Sequence, residues 1–303
     1  MNDYSNATGA IEGALAAAMH ADVERALAED IGSGDVTAQL LPAAEWARAR
    51  VIVRESAVLC GGPWFEAVFA RLDSRVRVSW RESEGARMSA GSEVCGIEGP
   101  LRALLTGERT ALNFLQLLSG VATKVRAYVD AVAGLGTTIV DTRKTLPGLR
   151  LAEKYAVRIG GARNHRLGLY DGILIKENHI AGAGGVGAAW RAAMALKTAL
   201  PVQIEVETLE QLDEALAAGA SSILLDNFTV GAMKEAVRRA DARAVLEASG
   251  GVTIDSIRAI AETGVHRISV GSLTKDIRAA DYSMRITGVE QGEGRTRAHR
   301  AVR

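Results

Sequence analysis

Along residues 11–30 the apolar positions Leu15, Met19, Val23 and Leu27 recur at helical spacing, and the run ends in the Gly- and Asp-rich turn EDIGSGDVT. The stretch 47–62, ARARVIVRESAVLCGG, alternates as a strand does and stops at a glycine pair. Residues 76–100 read as short strands broken by Gly and Ser turns. Together these segments predict an antiparallel α+β module. Residues 106–133 predict one long helix with Ala111, Leu115 and Leu118 on its apolar stripe and Gly120 as a kink or break.

From 137 onward the rhythm changes. Short apolar runs recur at 137–141, 172–176, 202–207, 222–226, 244–249 and 267–272, and helical patterns such as 208–220 and 253–264 separate most of them. Strand–helix alternation at this spacing implies βα units and a parallel sheet. The runs end in polar or glycine residues: Asp141, Lys176, Glu205 or Glu207, Asp226, Ser249 and Gly271. Chemistry gathered at strand C-termini, with glycine-rich turns after the last two, favours a barrel over an open doubly wound sheet. Six such runs fall short of the eight strands and roughly 250 residues of the usual barrel. The expectation is therefore a shortened, six-strand parallel α/β barrel.

Composition narrows the ligand. The chain has 303 residues, 48% of them hydrophobic, enough for one large or two ordinary domains. Thirty-six basic residues balance 36 acidic ones, so no global field favours nucleic acid or an anionic membrane. A local basic cluster must then answer to a local ligand. Cys60 and Cys95 lack paired spacing and read as reduced, buried thiols. The first residues lack a basic segment followed by an apolar one, and no apolar run approaches the roughly 18 residues of a membrane span. A soluble, cytoplasmic protein is expected. The basic tail GEGRTRAHRAVR at 292–303 has no apolar period and reads as a frayed, solvated terminus rather than an RNA contact.

The cations carry the strongest signal. DTRKTLPGLR puts Arg143, Lys144 and Arg150 directly after the first barrel strand; His165 and Arg166 precede the second, Lys176 ends it, and Arg109 lies at the start of the long helix. One arginine alone would be a surface residue, but several at one barrel mouth imply a polyanion, because guanidinium forks match carboxylate and phosphate. His165 alone reads more readily as structural. The turns EASGGVT and SVGSLT expose backbone N–H groups suited to phosphate, although each alone is also an ordinary βα turn, and Thr253 and Ser272 are candidate helix caps. Glu205 inside an apolar strand and Asp226 at the end of the next need a cation, a metal or a hydroxyl-rich ligand, and oxygen-only ligation favours Mg²⁺ over zinc. Asp226 as a mere helix cap stays open.

These blocks, GERTALNFLQLLSGVAT, DTRKTLPGLR, EKYAVRIGGARNHRLGLYDGILIKENHI, LLDNF, EASGGV and SVGSLT, occur in an order that resembles the quinolinate phosphoribosyltransferases over roughly residues 20–285. The resemblance implies an N-terminal open α/β sandwich domain with its linking helix (1–132, rejoined by 283–303) and a C-terminal six-stranded parallel α/β barrel (133–282). It implies quinolinate and phosphoribosyl pyrophosphate as substrates, transfer of the phosphoribosyl group with decarboxylation, Mg²⁺, and a homodimer with shared active sites, or a hexamer of stacked dimers. By motif, Thr142, Arg143, Lys144, His165, Arg166 and Lys176 look like ligands of quinolinate and phosphate, and Arg109 like an arginine lent across the dimer. Lys144 and Lys176, with Glu205 and Asp226, look catalytic; those two acids would meet ribose hydroxyls and Mg²⁺. Ser249, Gly250, Gly251, Gly271 and Ser272 look like the 5′-phosphate cradle. One departure stands out: many relatives read Glu-Val-Glu where this chain has Gln203, Ile204 and Glu205.

Three rivals keep parts of this reading. A sibling phosphoribosyltransferase would use nicotinate or another base; a Schiff-base aldolase would use Lys176 as nucleophile; a phosphometabolite-binding module would bind without turnover.

Overall fold

The computed structural model describes residues 8–290; the readings made of the residues before these and of the tail at 292–303 lie outside the described residues. Helix α1 (Thr8–Ile31) buries Val23 and Leu27 of its apolar stripe. Asp22, one step off that stripe, is buried too, where it accepts the Trp64 indole N–H at 3.2 Å. The first unit continues with β1 (Trp46–Val53), β2 (Ala57–Val58), α2 (Gly62–Leu72), β3 (Arg77–Trp80), β4 (Arg87–Met88) and β5 (Glu93–Pro100). The alternation read in the sequence is the alternation observed: Ala47, Ala49, Val51 and Val53 of β1 turn inward while Arg48 and Arg50 face solvent. The glycine pair that stops this segment is held by Glu84, whose Oε1 accepts from Gly61 N and Gly62 N at 3.0 and 2.6 Å. Cys60 and Cys95 are buried free thiols.

Helix α3 (Leu101–Ala131) starts five residues before the periodicity expects it, directly after Pro100, and runs without a break through Gly120. The expected break is absent, and the glycine has a packing reason instead. A Cβ at Gly120 would lie 2.3 Å from the Arg278 carbonyl oxygen, so this glycine admits a crossing chain rather than ending a helix.

Among the described residues the chain forms two compact units, one of 124–276 and one of 9–123 with 277–290; α3 passes the division. These limits differ from the expected 132/133 and 282/283.

The second unit runs β6 (Thr138–Val140), α4 (Arg150–Ile159), β7 (Ile173–Ile175), α5 (Glu177–Ala183), α6 (Val186–Ala195), β8 (Val202–Val206), α7 (Leu209–Ala217), β9 (Ser222–Asp226), α8 (Val230–Ala240), β10 (Val245–Ser249), α9 (Ile257–Ala261), β11 (Arg267–Ser269) and α10 (Ser272–Lys275). The six strands are parallel in the order β6-β11-β10-β9-β8-β7, the cyclic order of a barrel. Where β6 and β7 would meet, residue 163 lies alongside β6 instead: Arg163 N–H donates to Ile139 O at 3.0 Å and Asp141 N–H to Arg163 O at 3.2 Å. The segment carrying His165 and Arg166 therefore fills the seam. Strand β12 (Tyr282–Glu290) pairs antiparallel with β1 and completes the first unit's sheet in the order β12-β1-β5-β3. Among the described residues no helix is long and apolar enough to cross a membrane.

Candidate active site

The two glycine turns after β10 and β11 lie side by side because those strands pair. With the loop after β6 they line a cavity of about 440 Å³ that brings together Thr142, Lys144, Ser249, Gly250, Gly251, Gly271 and Ser272. Gly250 has φ +96°, and a Cβ there would meet Asn227 Oδ1 at 2.1 Å, so the turn requires glycine on both counts. At Gly271 a Cβ would lie 3.0 Å from Lys144 Cδ: the lysine stem crosses over this glycine. Lys144 is held from both sides, its N–H donating to Thr142 Oγ1 at 3.1 Å and its carbonyl accepting from Thr274 Oγ1 at 2.7 Å.

The caps fall differently from expectation. Gly271 occupies the N-cap position of α10, and the Ser272 hydroxyl, one residue on, is buried with no hydrogen-bond partner. Thr253 and Ser256 cap each other across the turn leading into α9 rather than at its first residue. Sequence reasoning overlooked Lys124, which also lines the cavity and donates to Ser272 O and Asp276 O at 2.7 and 3.0 Å; burial pushes its ammonium below the usual lysine range.

The loop after β6 divides its cations. Arg150 is spent on the protein, donating to Thr145 Oγ1, Leu167 O and Arg143 O at 3.1, 3.2 and 3.4 Å. Arg143 Nε, by contrast, is buried without a hydrogen-bond partner. Arg166 is buried at the seam and donates to Gly172 O at 3.3 Å. Beneath them lies a pair that the sequence did not single out as chemistry. Asp141, fully buried, accepts from Lys154 Nζ (2.6 Å), His165 N (2.7 Å) and Asn164 Nδ2 (2.8 Å), and Lys154 also donates to His165 O at 3.0 Å. Burial pushes the Asp141 carboxyl up and the Lys154 ammonium down, and each charge opposes the shift of the other.

On the far side of the sheet Lys176, at the end of β7, reaches both Glu205 oxygens at 3.0 and 3.2 Å. Burial raises the Glu205 carboxyl; Lys176 counters, while Asp226 and Glu177 add to the rise. Asp226 accepts from the Asn227 amide at 2.8 Å, and the following helix is capped by Thr229, whose Oγ1 accepts from Ala232 N. The reading of Asp226 as a helix cap is thus set aside. Among the described residues no three His, Cys, Asp or Glu side chains cluster as a metal cage. Two strand-end carboxylates remain as hard oxygen donors. That set fits Mg²⁺, which commonly binds through one or two carboxylates, its own waters and substrate phosphates.

His165 does not stand in the open mouth. It is 7% exposed, and its Nε2 lies 3.0 Å from Gln203 Oε1. Gln203 is itself buried, inside the barrel rather than at its rim, and donates to fully buried Glu247 at 3.1 Å. Arg109 belongs to the other unit. It is exposed on the third turn of α3, not its start, and lines a cavity of about 510 Å³ with Asp30, Asp35 and Thr106.

Known proteins are similar to this chain. Residues 35–119 match the N-terminal domain and residues 121–285 the C-terminal domain of quinolinate phosphoribosyl transferase. Nicotinate-nucleotide pyrophosphorylase [carboxylating] of Mycobacterium leprae is 44% identical over 272 residues, covering 86% of this chain and 95% of that protein. Quinolinate phosphoribosyltransferase [decarboxylating] 1 of Nicotiana glauca is 38% identical over 285 residues, covering 87% and 81%. The solved nicotinate-nucleotide pyrophosphorylase of Francisella tularensis superposes with a TM-score of 0.86 at 43% identity, over 89% of this chain and 96% of that one. With both domain models matched in order and relatives aligned over nearly their whole length, the chain belongs to the quinolinate phosphoribosyltransferase family.

Proposed function

We propose that this protein transfers the phosphoribosyl group of phosphoribosyl pyrophosphate to quinolinate with decarboxylation, forming nicotinate mononucleotide, pyrophosphate and CO₂ in de novo NAD biosynthesis. The observation that carries this reading is the juxtaposition of Lys124, Lys144 and the two glycine turns around one cavity, in a chain with no net charge. One polyanion with phosphate at one end explains both.

In this reading the 5′-phosphate lies against Ser249, Gly250, Gly251, Gly271 and Ser272, whose orphaned hydroxyl gains an acceptor. Arg143 and Arg166 hold the diacid, since paired guanidinium forks suit two carboxylates better than one. The pyridine nitrogen displaces pyrophosphate from the ribose, and positive charge builds on the sugar. Glu205 and Asp226 face that charge, while Lys144 and Lys176 offset the negative charge that leaves. Mg²⁺ bound at Glu205 and Asp226 would neutralise pyrophosphate oxygens. Once alkylated, the pyridinium ring stabilises the electron pair that the broken C–CO₂ bond leaves on the ring carbon, and a proton from water takes it up there, so no organic cofactor is needed.

Arg109, outside the barrel unit, is assigned to the active site of a second copy in a homodimer, and the enzyme is assigned to the cytoplasm. The Lys176 ammonium, paired with Glu205, argues against a Schiff-base nucleophile, which needs a free amine. The test is an assay with quinolinate, phosphoribosyl pyrophosphate and Mg²⁺, following CO₂ and mononucleotide, with nicotinate in parallel. Equal yields of CO₂ and mononucleotide from quinolinate alone are expected; turnover of nicotinate instead would keep the fold and overturn the substrate. Mixing Arg109→Ala with Lys144→Ala protein should restore activity through hybrid dimers, and no rescue despite subunit exchange would remove the shared site.

A further inference from the structure

Glu247, Gln203 and His165 are 0%, 1% and 7% exposed and come from β10, β8 and the seam segment. Three polar side chains crossing a barrel interior need a reason, since each sacrifices hydration. Their hydrogen bonds run in one direction. The Arg166 backbone N–H donates to His165 Nδ1 at 2.8 Å, which makes that nitrogen an acceptor and puts the imidazole proton on Nε2. Nε2 then donates to Gln203 Oε1 at 3.0 Å, and the Gln203 amide donates to Glu247 Oε2 at 3.1 Å. The remaining Glu247 oxygen has no hydrogen-bond partner and lies 3.6 Å from the same imidazole Nε2.

An amide suits this place in this chain. It accepts from the ring with its oxygen and donates to the carboxylate with its nitrogen, and no simple acid or base does both without an added proton. We propose that Gln203 and Glu247 are positioning residues: they fix the ring orientation and tautomer of His165, and through its Nδ1 they fix the His165–Arg166 peptide from which the Arg166 guanidinium projects. Lys154 grips the same peptide at His165 O, and Asp141 grips the preceding peptide at His165 N. The seam between the first two strands lacks a strand-to-strand ladder, so side chains supply the rigidity that a ladder would have given. The proposal rests on the quinolinate reading only for the consequence that diacid binding suffers when the peptide is released.

The first test therefore needs no substrate. In ¹⁵N-labelled, ligand-free protein the His165 ring, identified by its loss in His165→Gln, should report a protonated Nε2 and a bare Nδ1. A proton on Nδ1 overturns the proposal. Gln203→Met keeps the volume and removes both bonds; with Nδ1 still accepting from the Arg166 N–H, it should free the Nε2 side of the ring, shift the Nε2 resonance and raise KM for quinolinate roughly ten- to a hundredfold, with KM for phosphoribosyl pyrophosphate unchanged. Glu247→Gln should move the same constant in the same direction. Unchanged spectra in Gln203→Met, or equal losses for both substrates, would show a merely structural amide. A correct tautomer in a protein that does not turn over quinolinate would retain the positioning network and discard only the substrate.

Discussion

Two sets of charged and polar groups sit within a few residues of one another in the barrel unit and behave oppositely. In the lower set Asp141, Lys154, Asn164 and Arg150 direct their polar atoms to other parts of the protein. In the upper set Arg143 Nε and Ser272 Oγ are withdrawn from solvent and bonded to nothing. An unsatisfied buried polar atom costs about 1–3 kcal/mol, so a fold tolerates it where something else repays the cost. Satisfied groups hold the loops; in the proposed function the unsatisfied Arg143 Nε and Ser272 Oγ are completed by substrate. The cationic loop after β6 holds both kinds, with Arg150 in the first set and Arg143 in the second.

Removing a member of the lower set should give the largest effect. Lys154→Met leaves the Asp141 carboxylate in the interior without its cation, and breaking a buried pair in this way costs about 3–5 kcal/mol. Urea denaturation should show a midpoint shifted down accordingly, and Asp141→Asn added to Lys154→Met should recover part of the loss. Equal stability of the single variant and the parent protein would dissolve the distinction, because the pair would then hold nothing.

The upper set should respond the other way. Lys144 is exposed, and its side chain lies across Gly271. Lys144→Ala should lower kcat/KM by about 10²–10³ while leaving stability within roughly 0.5 kcal/mol. Activity and melting temperature measured on the same preparation check both halves. A stability loss as large as that of Lys154→Met would put Lys144 in the supporting set.

The sequence made the upper set legible and left the lower one nearly invisible. Strand ends announce themselves: an apolar run stops at Lys176, Asp226 or a Ser-Gly-Gly turn, and the polar residue that stops it stands at the rim. Lys154 gave no such signal, since a lysine in a helical pattern is ordinarily solvated and nothing nearby announces that Asp141 lies 2.6 Å from it. Glu247 falls inside the apolar run AVLEAS, and its partner Gln203 is two strands away across β9. Gly120 misled for the same reason: local pattern reads a helix breaker, whereas the cause is the backbone of Arg278. What is set by the residue's own neighbours along the chain can be read from the sequence; what is set by a contact across the fold cannot.

Glu153 tests the boundary between the two sets with the smallest effect. It is fully buried on α4 and belongs by position with Lys154, yet among the described residues its carboxyl accepts from Leu146 N–H alone, at 3.2 and 3.4 Å. Burial pushes its carboxyl up to about 8; the Leu146 N–H opposes the rise, the Asp141 charge adds to it and Arg150 opposes it. The folded protein therefore keeps a proton on Glu153 at pH values where the unfolded chain, titrating near 4.5, has lost it. By linkage the contribution of this group to stability is fully present below about 4.5 and is lost progressively as the pH rises to about 8. Glu153→Gln stays neutral and keeps an acceptor for Leu146 N–H, so its melting temperature relative to the parent should climb between pH 5 and pH 8 and level off above. A constant difference across that range would mean that Glu153 is ionised in the fold and has a partner after all. It would then join the satisfied set, leaving the loop that carries Arg143 and Lys144 anchored by a charge rather than by a proton.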